Sequence, residues 1–480
     1  MVDLSVFDII KVGIGPSSSH TMGPWQAALT FINYIDKSYD IKTIEDIKVY
    51  LYGSLAKTGK GHGTDVACVM GLLGYDYKTV DPNIIPEEIS RLKETKTLNI
   101  KNKHTITFHF DKDIVFNFKE YLKGHPNGMI IKATLQNKKE VSQTYYSIGG
   151  GFIVQDDEGP INNAQEISSS SNAESASNLI EQCKQYNFDK LSDLIYQQEQ
   201  RFRSLSEIQS EALNIWLEIK NSIYRGLLRK GTLPGGLNVE YRSGPIAEKL
   251  LNGLLYNNID ELFNTIKQEK ADFNYVNKWT SCFAMAVNEE NASFSRIVTS
   301  PTNGAAGVLP AVLTYAYLFT DAFKNLPEAD AITRFILTAG KIGCLFKKNA
   351  TISAAMGGCQ AEIGVSSSMS AAALTEALGG SIEQSLQAAE IAMEHHLGLT
   401  CDPINGLVQI PCIERNSMGA IKAITASNLA LNENPKNRLI NLDTAIKSMW
   451  QTSLDMNSKY KETAEAGLAA QFTDRRLSEC

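Results

Sequence analysis

Between residues 44 and 154 apolar and polar positions alternate in short runs: "IKVYLYG", "HTITFHF", "IVFNF", "GMIIKATL" and "TYYSIGGGFIV". From about residue 185 onward the apolar residues recur every three or four positions, as in "LSEIQSEALNIWLEIKNSIYRGLL" and "SAAALTEALGGSIEQSLQAAEIAMEHH". The first period is that of a half-buried strand and the second that of an amphipathic helix. A chain that keeps the two in separate blocks folds as α+β: an N-terminal α/β unit followed by a mostly α-helical one. Between them, "QDDEGPINNAQEISSSSNAESASN" (155–178) has few large apolar residues and supports no core of its own. The expected organisation is therefore an α+β domain over 1–154, a linker or mobile loop over 155–184 and a helical domain over 185–480. "MGPWQAALTFINYI" reads as a helix within the first block, and "HFDKDIVF" as a tight hairpin turning on Asp-Lys-Asp.

At 480 residues there is chain enough for two or three cores. A hydrophobic share of 43% with 21% charged residues is that of a water-soluble globular protein. With 46 Lys+Arg against 53 Asp+Glu there is no cationic excess for a phosphate backbone, which argues against nucleic acid as a partner. The longest apolar run, "GVLPAVLTYAYLF", is too short to cross a bilayer, and "MVDLSVFDII" lacks the cationic leader of a signal peptide. The expectation is a cytoplasmic protein with no membrane partner. Its eight cysteines are then unlikely disulfides, leaving packing, nucleophilic chemistry or metal binding.

Cys68, Cys183, Cys282 and Cys344 lie in amphipathic segments and read as small buried hydrophobes. Cys359 follows "AAMGG", while Cys401 and Cys412 bracket "TCDPINGLVQIPC", whose Asp-Pro, Asn-Gly and Pro prevent one regular helix. A looped backbone can bend two thiols toward one point. Spacing alone leaves packing or metal binding open for these three, since no C-x-x-C pair is present. "GIGPSSSHTMGP" offers Ser17, Ser18, Ser19, His20 and Thr21 just before a helix, a set suited to a carboxylate or simply to N-capping. "GKGHGTD" carries Lys60 and His62 between glycines, ahead of Thr64 and Asp65, and does not meet the P-loop pattern. "SPTNGAAG" presents Ser300, Thr302, Asn303 and Gly304 before an apolar helix, as an anion or amino-acid site or as a cap. His395 and His396 are adjacent and cannot both face one site from a regular helix; His104, His109 and His125 read as structural or surface residues.

Taken together, "GPSSSHT", "GKGHGTD", "SIGGGF", "SPTNGAAG", "AAMGGCQAEIGVSSSM" and "EHHLGLTCDPINGLVQIPCIERN" resemble the bacterial iron–sulfur L-serine dehydratases. The likeness follows the single-chain form, β-type domain before α-type domain, in order over nearly the whole chain. It implies a [4Fe-4S] cluster on Cys359, Cys401 and Cys412 with one iron open for chemistry. It further implies that the C-terminal Cys480 can occupy that open position at rest, that the N-terminal domain is of a regulatory type able to bind an allosteric amino acid, and that the protein is a homodimer.

Elimination of water from L-serine needs a Lewis acid at the hydroxyl and a base at Cα. His62 is the expected base, His20 the alternative or a binder of the carboxylate, and Lys60 a third catalytic candidate. Ser17, Ser18, Ser19, Thr21, Thr64, Asp65, Ser147, Ser300, Thr302, Asn303 and Gly304 are the expected substrate-lining residues. A pyridoxal-phosphate dehydratase is the competing enzyme, but no lysine has the S-x-K setting of a Schiff base. A non-catalytic amino-acid or redox sensor is the competing non-enzyme.

Overall fold

The structure, a computed structural model, describes residues 4–156, 174–324 and 326–477. The chain opens with one helical turn, Val6–Ile9, closed by a capping box between Ser5 and Asp8, and runs into β1 (Lys11–Ile14). Val6, Phe7, Ile9 and Ile10 are buried among residues of the later helices.

Then follow a π-type turn, Ser18–Met22, and the helix Gly23–Ser38, with Pro24 in its first turn where no backbone N–H is needed. The strands β2 (Ile44–Tyr52), β3 (Thr97–Ile100), β4 (His104–Thr107), β5 (Ile114–Asn117), β6 (Gly128–Leu135), β7 (Glu140–Ser147) and β8 (Ile153–Gln155) realise the alternating runs. Five form one sheet in the order β5-β2-β6-β7-β8, parallel at β2/β5 and antiparallel elsewhere; β3 and β4 pair separately. Ile47, Val49 and Leu51 of β2 and Ile131 and Ala133 of β6 share the buried face with Trp25, Phe31 and Ile32.

The hairpin expected at "HFDKDIVF" is not formed. Phe110–Asp113 is a helical turn, with the Asp113 carboxylate accepting from His109 N at 2.7 Å. The local side-chain bond competes with hairpin pairing, so β4 pairs with β3 and β5 crosses to lie parallel with β2.

The second block is helical as its period predicts. Leu205–Leu228 starts at a capping box of Ser204 and Glu207, Phe273–Ala292 follows, and β9 (Arg296–Thr299) then pairs antiparallel with β1, Val12 opposite Val298. Beyond it lie Val308–Phe319, Glu328–Asn349, Ile363–Ala377, Ile382–Glu394 and Cys412–Asn432. Ile363–Ala377 is buried nearly all round, and two of its small serines find partners inside: Ser367 Oγ donates to Gly419 O at 2.9 Å and Ser370 Oγ to Ser366 O at 2.7 Å. Cys68, Cys183, Cys282 and Cys344 are buried in the two cores. Among the described residues no helix is long and apolar enough to cross a membrane. Most of the stretch expected to be a linker, and Cys480, lie outside the described residues.

Candidate active site

Three separate segments deliver the loop cysteines. Gly358, at φ +71, sits so close to the 396–400 turn that a Cβ would lie 2.8 Å from Leu399 O, and Gln360 N donates to that same oxygen at 3.1 Å. This contact brings Cys359, in the turn Gly358–Ala361, beside Cys401. Cys401 is held by a bridge to Lys461, with its N–H on Tyr460 O at 2.8 Å and its carbonyl taking Glu462 N at 3.0 Å. Cys412 begins the helix Cys412–Asn432, and its carbonyl accepts from Asn288 and Asn416.

Ligand atoms of Cys359, Glu362 and Cys401 lie within 4.8 Å of one another, and all three are buried. Cys401, Cys412 and Glu362 line one small pocket together with Ser17, His62, Gly304, Pro403, Val408 and Glu462. Arg415 closes the sulfur side, Nη1 donating to Cys359 Sγ at 3.3 Å and to Thr400 O at 2.8 Å, Nη2 to Asp402 Oδ1 at 2.9 Å. The hydrogen bond with Cys401 and then the Arg415 charge bring the Cys359 thiol down to about 7 against its burial. Cys401 is pushed up by that same hydrogen bond and by burial, Cys412 by burial and the Cys359 charge.

His62, which lines the pocket, stands beside His20, their ring centroids 4.6 Å apart. His62 Nδ1 lies 2.9 Å from Thr58 O, so it must carry the proton, leaving the Nε2 lone pair facing Glu462 Oε1 at 3.7 Å. His20 is the other tautomer: Ser54 Oγ donates to Glu462 O at 2.7 Å and so receives the His20 Nε2–H at 3.0 Å, while His20 Nδ1 accepts from Ser19 Oγ at 2.9 Å. Burial holds His62 down at about 4; burial and the neighbouring His62 keep His20 well below the ordinary imidazole value. Both rings are neutral at pH 7.

Burial lifts the Glu362 carboxyl to about 8, with Cys359 adding to the rise and Thr302 opposing it. Glu462 is raised well above the ordinary value by burial, then by Glu362 and Cys359. The pocket thus holds a protonated Glu362 carboxyl close to an unprotonated imidazole.

The other candidates divide by position. Thr21 and Thr64 brace the histidine loops, Thr21 Oγ1 donating to His62 O at 2.8 Å and Thr64 Oγ1 to His20 O at 2.6 Å. Ser17 lines the pocket and its Oγ takes His20 N at 3.1 Å; Ser18 is buried beside it. Gly304 lines the pocket where a Cβ would meet Glu362 at 2.6 Å. Asn303 has both ends of its amide engaged, on Ile14 O and Thr299 Oγ1. Ser147, Ser300 and Thr302 are buried. Lys60 and Asp65 are not brought to the pocket: Lys60 is exposed with Nζ 5.5 Å over the Phe116 ring, and the Asp65 carboxylate accepts from Val66 N. His396 is buried elsewhere, on Ala392 O, and His395 is mostly exposed.

The model of the serine dehydratase β chain matches residues 5–158, and that of the serine dehydratase α chain residues 158–469. The chain belongs to the serine dehydratase family. Among its relatives, the L-serine dehydratase TdcG of Escherichia coli is 44% identical over 97% of this chain and 98% of its own length. The L-serine dehydratases of Streptomyces coelicolor and Haemophilus influenzae are 41% and 42% identical, each over 98% of this chain and 99% of their own.

In this serine dehydratase family member the sequence left unmarked two pocket residues, Glu362 and Glu462, and Arg415, which donates to the Cys359 sulfur. Glu362 stands three positions after Cys359 and Arg415 three after Cys412, both inside quoted motifs, so a search for charge at helix spacing from the cysteines would have found them. Glu462 sits in "KETAEAG", with no local signal.

Proposed function

We propose that this chain is an L-serine dehydratase, a lyase that converts L-serine to pyruvate and ammonia at a [4Fe-4S] cluster held by Cys359, Cys401 and Cys412. The observation that carries it is that Cys401 and Cys412 line one pocket with the neutral imidazole of His62, while the Cys359 sulfur lies within 4.8 Å of that of Cys401. The donor set fits: three unpaired buried thiols, one of them hydrogen-bonded by a guanidinium, suit a cluster that prefers thiolate and is stabilised by donors to sulfur. When bound, the cluster supplies an electrophile for the substrate hydroxyl.

The chain's own residues do the rest. His62 Nε2 takes the α-proton, with Nδ1–H anchored on Thr58 O to hold the ring edge-on to the pocket. Glu362 holds a carboxyl proton beside the sulfurs, where the departing hydroxide can collect it as water. The enamine so formed rearranges to an imine and takes up water to give pyruvate and ammonia. Ser17, whose side chain lines the pocket, offers a hydroxyl donor to a carboxylate. Burial of the two histidines and of Glu462 keeps bulk water from competing for these protons.

The division into units of 1–154 and 185–480 around a 155–184 linker belongs to the same proposal; one apolar cluster lies wholly between Ile14 and Tyr145, while the larger takes in Val6, Phe7, Ile9 and Ile10 from the first unit and Ala176, Leu179 and Cys183 from the expected linker. So do a homodimer, an effector amino acid on the N-terminal unit, a cytoplasmic setting, and Cys480 as resting occupant of the open iron; the last rests on the resemblance alone.

The test is anaerobic purification with iron, acid-labile sulfide and pyruvate release measured on wild type and Cys359→Ala. Wild type should be brown and active, and the variant should lose sulfide and pyruvate together. Colourless, sulfide-free and fully active wild-type protein would overturn the reading.

A further inference from the structure

Glu462 enters the pocket on an unusual backbone. Its φ is +56, a left-handed conformation that non-glycine residues rarely adopt. Two contacts hold it there: Glu462 N donates to Cys401 O at 3.0 Å, and Ser54 Oγ donates to Glu462 O at 2.7 Å. Strain fixed by its surroundings points to a side chain that must be where it is.

That side chain is almost fully buried, 4% exposed, with Oε1 3.7 Å from His62 Nε2 and 3.4 Å from His20 Nδ1. Oε2 is buried with no hydrogen-bond partner. A buried oxygen left without a donor is costly, and a pocket that keeps one has a donor still to arrive.

We propose that Glu462 receives the α-ammonium group of the amino-acid substrate. The inference rests on the reading of the pocket as an L-serine dehydratase site and adds the group that recognises the amine. The α-proton and the ammonium sit on the same carbon, so the acceptor of one must neighbour the acceptor of the other. Glu462 is that neighbour of His62 Nε2. The hydroxyl is one carbon further on and turns toward the sulfurs, where Glu362 rather than Glu462 shares the 4.8 Å cluster with Cys359 and Cys401. An ammonium has three N–H donors, enough for Oε2 and for Oε1 together. A hydroxy acid without the amine leaves Oε2 orphaned, which makes Glu462 a determinant of specificity for amino over plain hydroxy acids.

The experiment compares L-serine with 3-hydroxypropanoate, which is serine without its amine, on anaerobic protein whose iron and sulfide are measured in parallel. Pyruvate release by wild type tests the underlying reading and is independent of the comparison. In Glu462→Gln the KM for L-serine rises at least tenfold, while inhibition by 3-hydroxypropanoate weakens no more than twofold or strengthens. Glu462→Asp, which keeps the carboxyl but withdraws it, gives a smaller rise and serves if the Gln variant fails to hold its cluster. An unchanged KM in either variant overturns the proposal. So does a parallel loss of serine and analogue binding, which would mark Glu462 as a support for pocket shape.

Discussion

A Cβ placed on Gly61 would stand 2.5 Å from the carbonyl oxygen of Gly406. The two glycines are where the loop carrying His62 touches the loop between Cys401 and Cys412, so their contact sets the distance from base to sulfur. Gly61→Ala should push these loops apart, lowering stability by about 1–3 kcal/mol. It should also cut kcat/KM by tenfold or more, because a misplacement of about 1 Å costs up to 100-fold. Denaturant melts and steady-state kinetics check both; a variant with wild-type kinetics would show that the contact positions nothing.

His62 and Lys60 separate the base from its sequence neighbour. His62→Asn should lower kcat by about 10²–10⁴ while leaving acid-labile sulfide at the wild-type level. Lys60→Ala should stay within about twofold in kcat, since its ammonium lies over the exposed face of Phe116. Equal losses in the two variants would place the lysine in the reaction.

Arg415 is the guanidinium nearest the sulfurs, bridging Cys359 Sγ, Thr400 O and Asp402. Arg415→Gln should reduce the iron and sulfide bound anaerobically and hasten bleaching of the visible absorption in air about tenfold, the usual scale for loss of a partner to a metal ligand. Arg415→Lys should rescue little, because a point charge cannot span three acceptors.

Acid should destabilise the fold through its buried histidines. Burial, with Lys347 adding to it, holds His125 down at about 3, against about 6.5 in an unfolded chain. Between those values the unfolded chain binds the extra proton, so stability is complete above about pH 6.5 and is lost as pH falls toward 3. His125→Asn keeps an acceptor for Asn127 N, which His125 Nδ1 receives at 3.1 Å. It should flatten unfolding free energy against pH by up to about 1.4 kcal/mol per pH unit in that window. Urea melts at pH 4, 5, 6 and 7 measure the slope; an unchanged slope would mean that His125 titrates normally.

Much of this protein is written in its periodicity. The strands from Ile44 to Gln155 follow period two, and helices with one apolar face such as Leu205–Leu228 follow period 3.6, whereas Ile363–Ala377, buried nearly all round, carries no such stripe. Asp113 shows where the rule stops: one carboxylate folding back on His109 N turned a promising hairpin into a helical turn. The cysteines could be singled out because glycine and proline marked their loops. Glu462 could not, since what makes it part of the pocket is a pairing with Cys401 across 61 positions of sequence. Long-range register of that kind leaves no local trace.

The antiparallel pairing of Lys11–Ile14 with Arg296–Thr299 has a practical outcome for anyone who wishes to take the molecule apart. Because residues 4–14 are stitched into the far half of the chain, a chain cut between the two halves would leave two fragments that stay buckled together. Expressing the halves separately would instead strip the helical half of an edge strand and of four buried side chains, Val6, Phe7, Ile9 and Ile10. A two-piece version of this protein would therefore have to carry its first fourteen residues on the other piece.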